Sequence, residues 1–400
     1  MPWSAYTEFL VQRQQVGQLR QLHATGPTRH GETRKNQRSL LNFSSNNYLG
    51  LANHPALIQR AMEWTAEWGT GSTASRLVCG NLELFEQVET RLALGKKTAA
   101  ALVFNSGFQA NATILSALLD HATLKKTPLL YCDRLNHASL HYGGRASGVK
   151  EIRYRHNDLN HLESLLKQQE HLAVPRFIVT ESVFSMDGDQ IDLEGLIALK
   201  HRFGAFLYLD EAHATGVLGP DGFGLGSARA GEVDLIMGTF SKGLGGFGAY
   251  AACSREVRDY LVNHCAGLIY STALPPGVLG AMDAALSLLP TLGQTRVRLL
   301  ANADVVRQGF QVMGLHTGTS STQIIPVILG TEAGAMTLSR RLEEEEEILA
   351  MAIRPPAVPH GTARLRVSLS ADHTERDLQR LMGAVARVIK NQSQSQNPGG

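Results

Sequence analysis

Gly238-Thr239-Phe240-Ser241-Lys242-Gly243-Leu244-Gly245 sets one lysine among small residues and hydroxyls, directly after the apolar run Val233–Met237. A second apolar run, Ala205–Leu209, leads into Asp210-Glu211-Ala212-His213. Working outward, Ala100–Phe104, Leu129–Cys132, Val149–Tyr154, Phe177–Thr180 and Leu235–Met237 read as strands. Helical patterns separate them: Ser106-Gly107 through Leu119, Leu159 to Gln168, and Leu193–Phe203. Strands alternating with helices predict an α/β fold whose parallel sheet is covered on both faces. Ligands of such sheets sit at the carboxyl ends of the strands. Ser106, Asp133, Glu181 and Asp210 each follow an apolar run, where that rule places a site.

The chain of 400 residues exceeds what one hydrophobic core usually serves, so two domains are expected. Residues 1–48 read as an N-terminal arm, with Tyr6–Leu22 as a helix and His23–Arg38 as a polar loop. Residues 49–285 form the large domain, with its boundary within Pro275–Leu289. Residues 286–390 read as a smaller α+β domain. There a long helical pattern reaches Met313, and a strand covers Ile324–Leu329. A helix then runs through Leu349, a strand covers Arg364–Leu369, and a last helix covers Glu375–Lys390. The polar tail 391–400 is expected to be disordered.

Composition removes several function classes. A net charge of +2 gives no general attraction to nucleic acid or to an anionic membrane. No apolar run approaches the ~20 residues of a membrane helix. The start, Met1-Pro2-Trp3-Ser4, has no basic segment followed by an apolar one, so no secretory signal is expected. Cys79, Cys132, Cys253 and Cys265 make no Cys-x-x-Cys pair and no metal spacing, which fits reduced thiols in a cytoplasm. No metal site is expected; the run Glu343–Glu347 reads as a solvated helix face.

The chemistry lies in the lysine block. A lysine amine, a carboxylate and an imidazole that meet at strand ends suit pyridoxal 5′-phosphate. The amine forms a Schiff base with the aldehyde, and the carboxylate holds the pyridine nitrogen protonated. Taken alone, a lysine in a glycine-rich loop is more often a surface residue. The turn Asn105–Asn111 opens a helix whose free N–H groups suit a phosphate, although taken alone it is more often an ordinary turn capped by Ser106. His137 and His213 could attend a cofactor ring, or be loop histidines. Two other patterns lead nowhere. Asp210-Glu211-Ala212-His213 spells a helicase-like motif, but no phosphate-binding Gly-x-x-x-x-Gly-Lys loop accompanies it. Gly243–Gly248 has dinucleotide spacing, but it leads into the strand-like Ala249–Cys253 rather than a helix.

In order along the chain stand Asn42–Gly50, Gly71-Ser72, Ser75-Arg76-Leu77, Asn105–Phe108, Asn136–Ser139, Phe184–Asp189, Asp210–His213, Thr239–Lys242 and Tyr270–Thr272. Together these blocks resemble the α-oxoamine synthases, pyridoxal phosphate enzymes of the fold type I aminotransferase superfamily. The resemblance implies a mostly parallel seven-stranded sheet flanked by helices. Ala352–Pro359 followed by Gly361–Arg366 is most similar to members that join L-alanine to a pimeloyl thioester, with loss of CO₂, in biotin synthesis. Ala357 departs from the family's usual Thr, and Asn47 stands where Asp is common. The near alternative is a relative such as glycine C-acetyltransferase or 5-aminolevulinate synthase, against which Arg354 argues. The alternative of another class is a non-catalytic cofactor-binding regulator.

The resemblance also implies roles. Lys242 would bond the cofactor and later act as base, Asp210 would pair the ring nitrogen, and His137 would stack on the ring. His213 would hydrogen-bond the phenolic oxygen. Gly107, Phe108, Ser185 and Thr239 would complete the cradle. Thr272 would reach the phosphate of a partner subunit, making a homodimer with shared sites. Arg20, His137, Arg354, Ala357 and Arg366 match substrate-binding positions, with Arg366 for the amino-acid carboxylate. The acyl carrier would be coenzyme A or a carrier protein.

Overall fold

The structure, a computed structural model, describes residues 3–395, with side-chain surroundings to residue 391. The first helix spans Trp3–Gln15 and buries none of its residues. It does not reach Leu22 as expected, because Gly17 turns to φ 65° and breaks the helical path. Strands β1 (Glu32–Lys35) and β2 (Arg38–Asn42) form an antiparallel hairpin, with β1 inside the segment read as loop. Its tip residues Asn36 and Gln37 both hold positive φ, as a tight hairpin turn requires. The sequence hid β1 because all four of its residues are polar; its stability comes from pairing with β2, whose Leu40 and Leu41 are buried.

The main sheet contains β3 (Ala100–Phe104), β4 (Leu129–Asp133), β5 (Glu151–Tyr154) and β6 (Arg176–Glu181). It is completed by β7 (Ala205–Asp210), β8 (Leu235–Thr239) and β9 (Ala249–Cys253). The order is β3-β9-β8-β7-β6-β4-β5, and only β9 runs antiparallel to its neighbours. Strand pleating divides the core in two. On β7, Leu207 and Leu209 enter one cluster with the helix Leu193–Phe203, while Tyr208 enters the other with the helix Gly107–Leu118. Each fully buried leucine contributes about 1.5–3 kcal/mol, which is why these strands read as apolar runs. The expected boundary segment is itself a helix, Pro276–Leu288, lying along the helix Pro55–Trp68. A Cβ on Gly280 would come within 2.6 Å of the Arg60 carbonyl, so these two helices pack backbone to backbone.

The C-terminal part adds β10 (Ile324–Gly330), β11 (Ile348–Leu349), β12 (Met351–Ile353) and β13 (Ala363–Ser368). Strands β10-β13-β12 form an antiparallel sheet against the helices Gly293–Val312, Glu332–Glu346 and Glu375–Ser395. The helix expected to run through Leu349 stops at Glu346. Glu347 adopts φ 57°, and Ile348 and Leu349 pair in parallel with β2. The last helix continues to Ser395, beyond the expected Lys390 and into the segment read as tail, while 396–400 lie outside the described residues.

Candidate active site

The carboxyl ends of β4, β6, β7 and β8 converge. Their last residues are Asp133, Glu181, Asp210 and Thr239, all buried. Asp210 is fixed from two sides: Oδ1 accepts from the Ala212 N–H at 2.8 Å, and Oδ2 accepts from Asn111 Nδ2 at 2.8 Å. Asn111 lies one helical turn past Gly107, and the Tyr208 hydroxyl donates to its Oδ1 at 2.7 Å. Glu181 stands opposite Asp210 in the strand register. Burial, reinforced by the neighbouring Asp210 charge, pushes the Glu181 carboxyl well above its usual range. Its Oε1 accepts the His137 N–H at 2.5 Å, which places that histidine at the mouth of the strand ends.

Lys242 follows β8 in a loop of close main-chain contacts. A Cβ on Gly243 would meet the Thr215 carbonyl at 2.6 Å, and one on Gly245 would meet Ala52 N at 2.4 Å. Both glycines are therefore required by packing. Lys242 lines a cavity of about 410 Å³ with Asn46, Asn47 and Ser241. Burial lowers its ammonium pKa, while Asp210 and Glu181 act in the opposite direction. A depressed amine pKa is what a nucleophile and base requires.

His213 is held by Tyr48, whose hydroxyl lies 2.6 Å from Nδ1. Burial, then the charges of Lys242 and Arg366, push this imidazole well below its usual pKa, so it is neutral. Asn46 Oδ1 already accepts from two Arg366 nitrogens, and the Tyr48 oxygen accepts from Arg366 as well. The Tyr48 hydroxyl also donates to Asn46 Oδ1 at 3.0 Å, so its single proton serves either that oxygen or Nδ1. His137 is likewise biased to neutrality by burial.

Arg366, on β13, is a buried cation. Its Nε donates to the Ser185 carbonyl at 2.6 Å and Nη1 donates to Ser368 Oγ at 2.7 Å. Among the described residues no carboxylate lies within ion-pair distance of it. Thr239 Oγ1 is buried with no hydrogen-bond partner among the described residues. A Cβ on Gly107 would come within 2.8 Å of Thr239 Cγ2, so the start of the helix Gly107–Leu118 abuts the Thr239 side chain. Ser106 Oγ caps Gln109 N, leaving the N–H groups of Gly107 and Phe108 at the helix start. An orphaned hydroxyl beside open helix N–H groups fits a phosphate.

The other expected residues lie further out. Thr272 is exposed; its carbonyl accepts from Asn105 Nδ2 at 2.9 Å, at the rim of the same helix start. Arg20 and Arg354 line a cavity of about 310 Å³ with Phe9, Leu10, Arg13, Leu19 and Pro355. Ala357 lines a second cavity, about 440 Å³, with Asn136, Ala138, Phe184 and Met186. The two cavities share Pro355 and Pro356. Sequence reading gave no role to Tyr48, Asn46 or Asn111, although spacing one turn from Gly107 would have flagged Asn111.

The class I and II aminotransferase family matches residues 38–385. An 8-amino-7-oxononanoate synthase of Gluconacetobacter diazotrophicus is 59% identical over 354 residues, 88% of each chain. A solved SPT structure with the PLP internal aldimine aligns at TM-score 0.89 and 28% identity, covering 97% of this chain and 98% of that one. The crystal structure of an 8-amino-7-oxononanoate synthase from Francisella tularensis aligns at TM-score 0.76 and 27% identity, covering 88% and 99%. The chain therefore belongs to the class I and II aminotransferase family, and it is an enzyme whose cofactor is pyridoxal phosphate.

Proposed function

We propose that the chain is an 8-amino-7-oxononanoate synthase, condensing L-alanine with a pimeloyl thioester, with release of CO₂, in biotin synthesis. Pyridoxal phosphate, when bound, supplies the electron-withdrawing ring that makes an amino-acid α-proton removable. Lys242 would hold it covalently, Asp210 would face the ring nitrogen, and His213 would meet the phenolic oxygen. Thr239, Ser185 and the helix start at Gly107 and Phe108 would cradle the phosphate end. His137 would cover the ring, and Lys242 would take the α-proton of alanine. Arg366 would receive the alanine carboxylate as the anion its surroundings lack.

The observation that carries the acyl specificity is the cavity lined by Arg20 and Arg354. Its walls are apolar at Phe9, Leu10, Leu19 and Pro355, and neither cation has a carboxylate within ion-pair distance among the described residues. That combination suits an aliphatic chain ending in a carboxylate. Arg354 also donates to the Gly17 carbonyl, which keeps it beside the cavity. The neighbouring cavity at Ala357 leads toward the residues flanking His137, so it suits the thioester end. The missing Thr hydroxyl at 357 removes one polar contact there.

Shared sites in a homodimer fit the apolar surface at the Thr272 rim, where Leu77 is 54%, Val78 78% and Tyr270 83% exposed. The three buried free thiols fit a reducing cytoplasm. No described helix is long and apolar enough to cross a membrane. The test crosses alanine, glycine and serine with pimeloyl, heptanoyl and acetyl thioesters and reads products by mass spectrometry. Pimeloyl should be preferred over heptanoyl by about ten- to a hundred-and-fifty-fold, from one charge-assisted contact of roughly 1.5–3 kcal/mol. Arg354→Ala should shrink that preference by weakening pimeloyl use. Equal use of both thioesters by the wild type would remove the reading.

A further inference from the structure

His156 lies outside every residue assigned to cofactor or substrate. It follows β5, and its ring meets Phe184 edge-on with centroids 4.4 Å apart. Nδ1 lies 3.1 Å from Asp133 Oδ1, and Nε2 lies 2.9 Å from Asp189 Oδ2. An ionised carboxylate only accepts, so both ring nitrogens must donate and the ring is an imidazolium. Burial opposes that charge, but the two carboxylates overcome it and raise the pKa to about 10.

The two carboxylates brace two different site loops: Asp133 ends β4, and Asp189 lies in the loop after β6. Asp133 Oδ1 also accepts the Leu135 N–H at 2.8 Å, shaping the turn that delivers His137. The Asp189 carbonyl accepts the Phe184 N–H at 3.1 Å, closing the loop that holds Ser185. The Ser185 carbonyl in turn holds Arg366. The side chains of Asp133 and Asp189 are 0% and 6% exposed, and Asp189 Oδ1 has no partner among the described residues. Asn157 bridges the same pair without charge, its N–H donating to Asp133 Oδ2 and its Nδ2 to Asp189 Oδ2, each at 2.9 Å, so among the described residues only His156 offsets the two like charges held out of water.

We propose that His156 is a positioning residue: one cation bonded to Asp133 and Asp189 holds the His137 turn and the Ser185 loop at a fixed separation. The inference rests on the proposed roles of His137 and Ser185, not on the identity of the acyl substrate. His156→Gln keeps the size and one donor but removes the charge. Three readouts apply: hydrogen exchange of residues 134–141 and 184–189 in the apo chain, the cofactor dissociation constant, and the alanine concentration that half-saturates the change in cofactor absorbance. Each should worsen about tenfold or more, as for an uncompensated buried charge. H156Q/D189N, with one carboxylate neutralised, should recover toward wild type. Should H156Q fail to fold, H156Q/D189N is compared with D189N alone. Cofactor affinities within threefold support the charge balance, and a tenfold loss overturns it. The proposal is also overturned if H156Q only melts earlier while all three readouts stay within twofold of wild type. An inert wild type in the thioester screen would instead remove the proposed reaction and leave these readouts intact.

Discussion

Arg366→Lys tests the proposed amino-acid end of the site with a change that keeps charge and removes geometry. The guanidinium spends donors on the Ser185 carbonyl, Ser368 Oγ and Asn46 Oδ1, all uncharged acceptors. It is 7% exposed, so its charge is compensated by neither water nor a carboxylate of the described residues. An incoming carboxylate gains a charge-assisted, forked contact in a poorly solvated place by displacing the neutral acceptors Asn46 and Tyr48 from Nη1 and Nη2. Such contacts contribute roughly 1.5–3 kcal/mol, which converts to about ten- to a hundred-and-fifty-fold in affinity. A lysine ammonium cannot reproduce the fork and also releases Ser185 or Asn46. The assay is the alanine dependence of cofactor absorbance, read without any thioester. The half-saturating alanine concentration should rise by that factor. An unchanged value with a lowered turnover would show that Arg366 only braces the Ser185 loop, and the carboxylate assignment would fall.

Borohydride reduction and peptide mapping should label Lys242; a label on Lys96, which is buried against Glu211, would refute the assignment. Chains carrying Lys242→Ala, mixed with chains inactivated by Thr272→Ala, should regenerate activity as heterodimers, and verified heterodimers without activity would exclude shared sites. His373 makes an acid-stability prediction. Burial holds its pKa at about 4, against 6.5 for the free side chain, so the unfolded chain binds more protons between those values. Its contribution is complete above pH 6.5 and is lost as pH falls to about 4, about 3 kcal/mol in all. His373→Gln should flatten the fall of melting temperature across that window, and parallel curves for the two proteins would contradict it.

Most of the large sheet was legible because its strands are buried on both faces. Ala100–Phe104, Leu129–Asp133 and Ala205–Asp210 advertise themselves as apolar runs, and their polar terminators carry the site. Elements stabilised from outside their own sequence were not legible. The strand Glu32–Lys35 exists through its partner, and Ile348–Leu349 leaves the helical pattern because β2 offers an edge. Lys242, Asp210, His213 and Thr239 stood in recognisable blocks, whereas Tyr48, Asn111 and His156 act through atoms far apart along the chain. A hydroxyl 165 residues from the histidine it orients leaves no local periodicity to detect.

The lysine loop is wedged between main-chain atoms, with Gly243 against Thr215 and Gly245 against Leu51 and Ala52. Main-chain atoms have no alternative rotamers, so no neighbouring side chain can be trimmed to admit a larger residue at either glycine. Mutational tolerance should consequently divide the molecule in two. A randomised library over 238–248 would return glycine at 243 and 245 almost without exception, while one over 352–360, where all but Pro355 and Val358 are at least partly exposed, would return many folded proteins with altered cavity walls. Anyone retuning this scaffold for a new substrate should leave those glycines alone and spend every library position on the second segment.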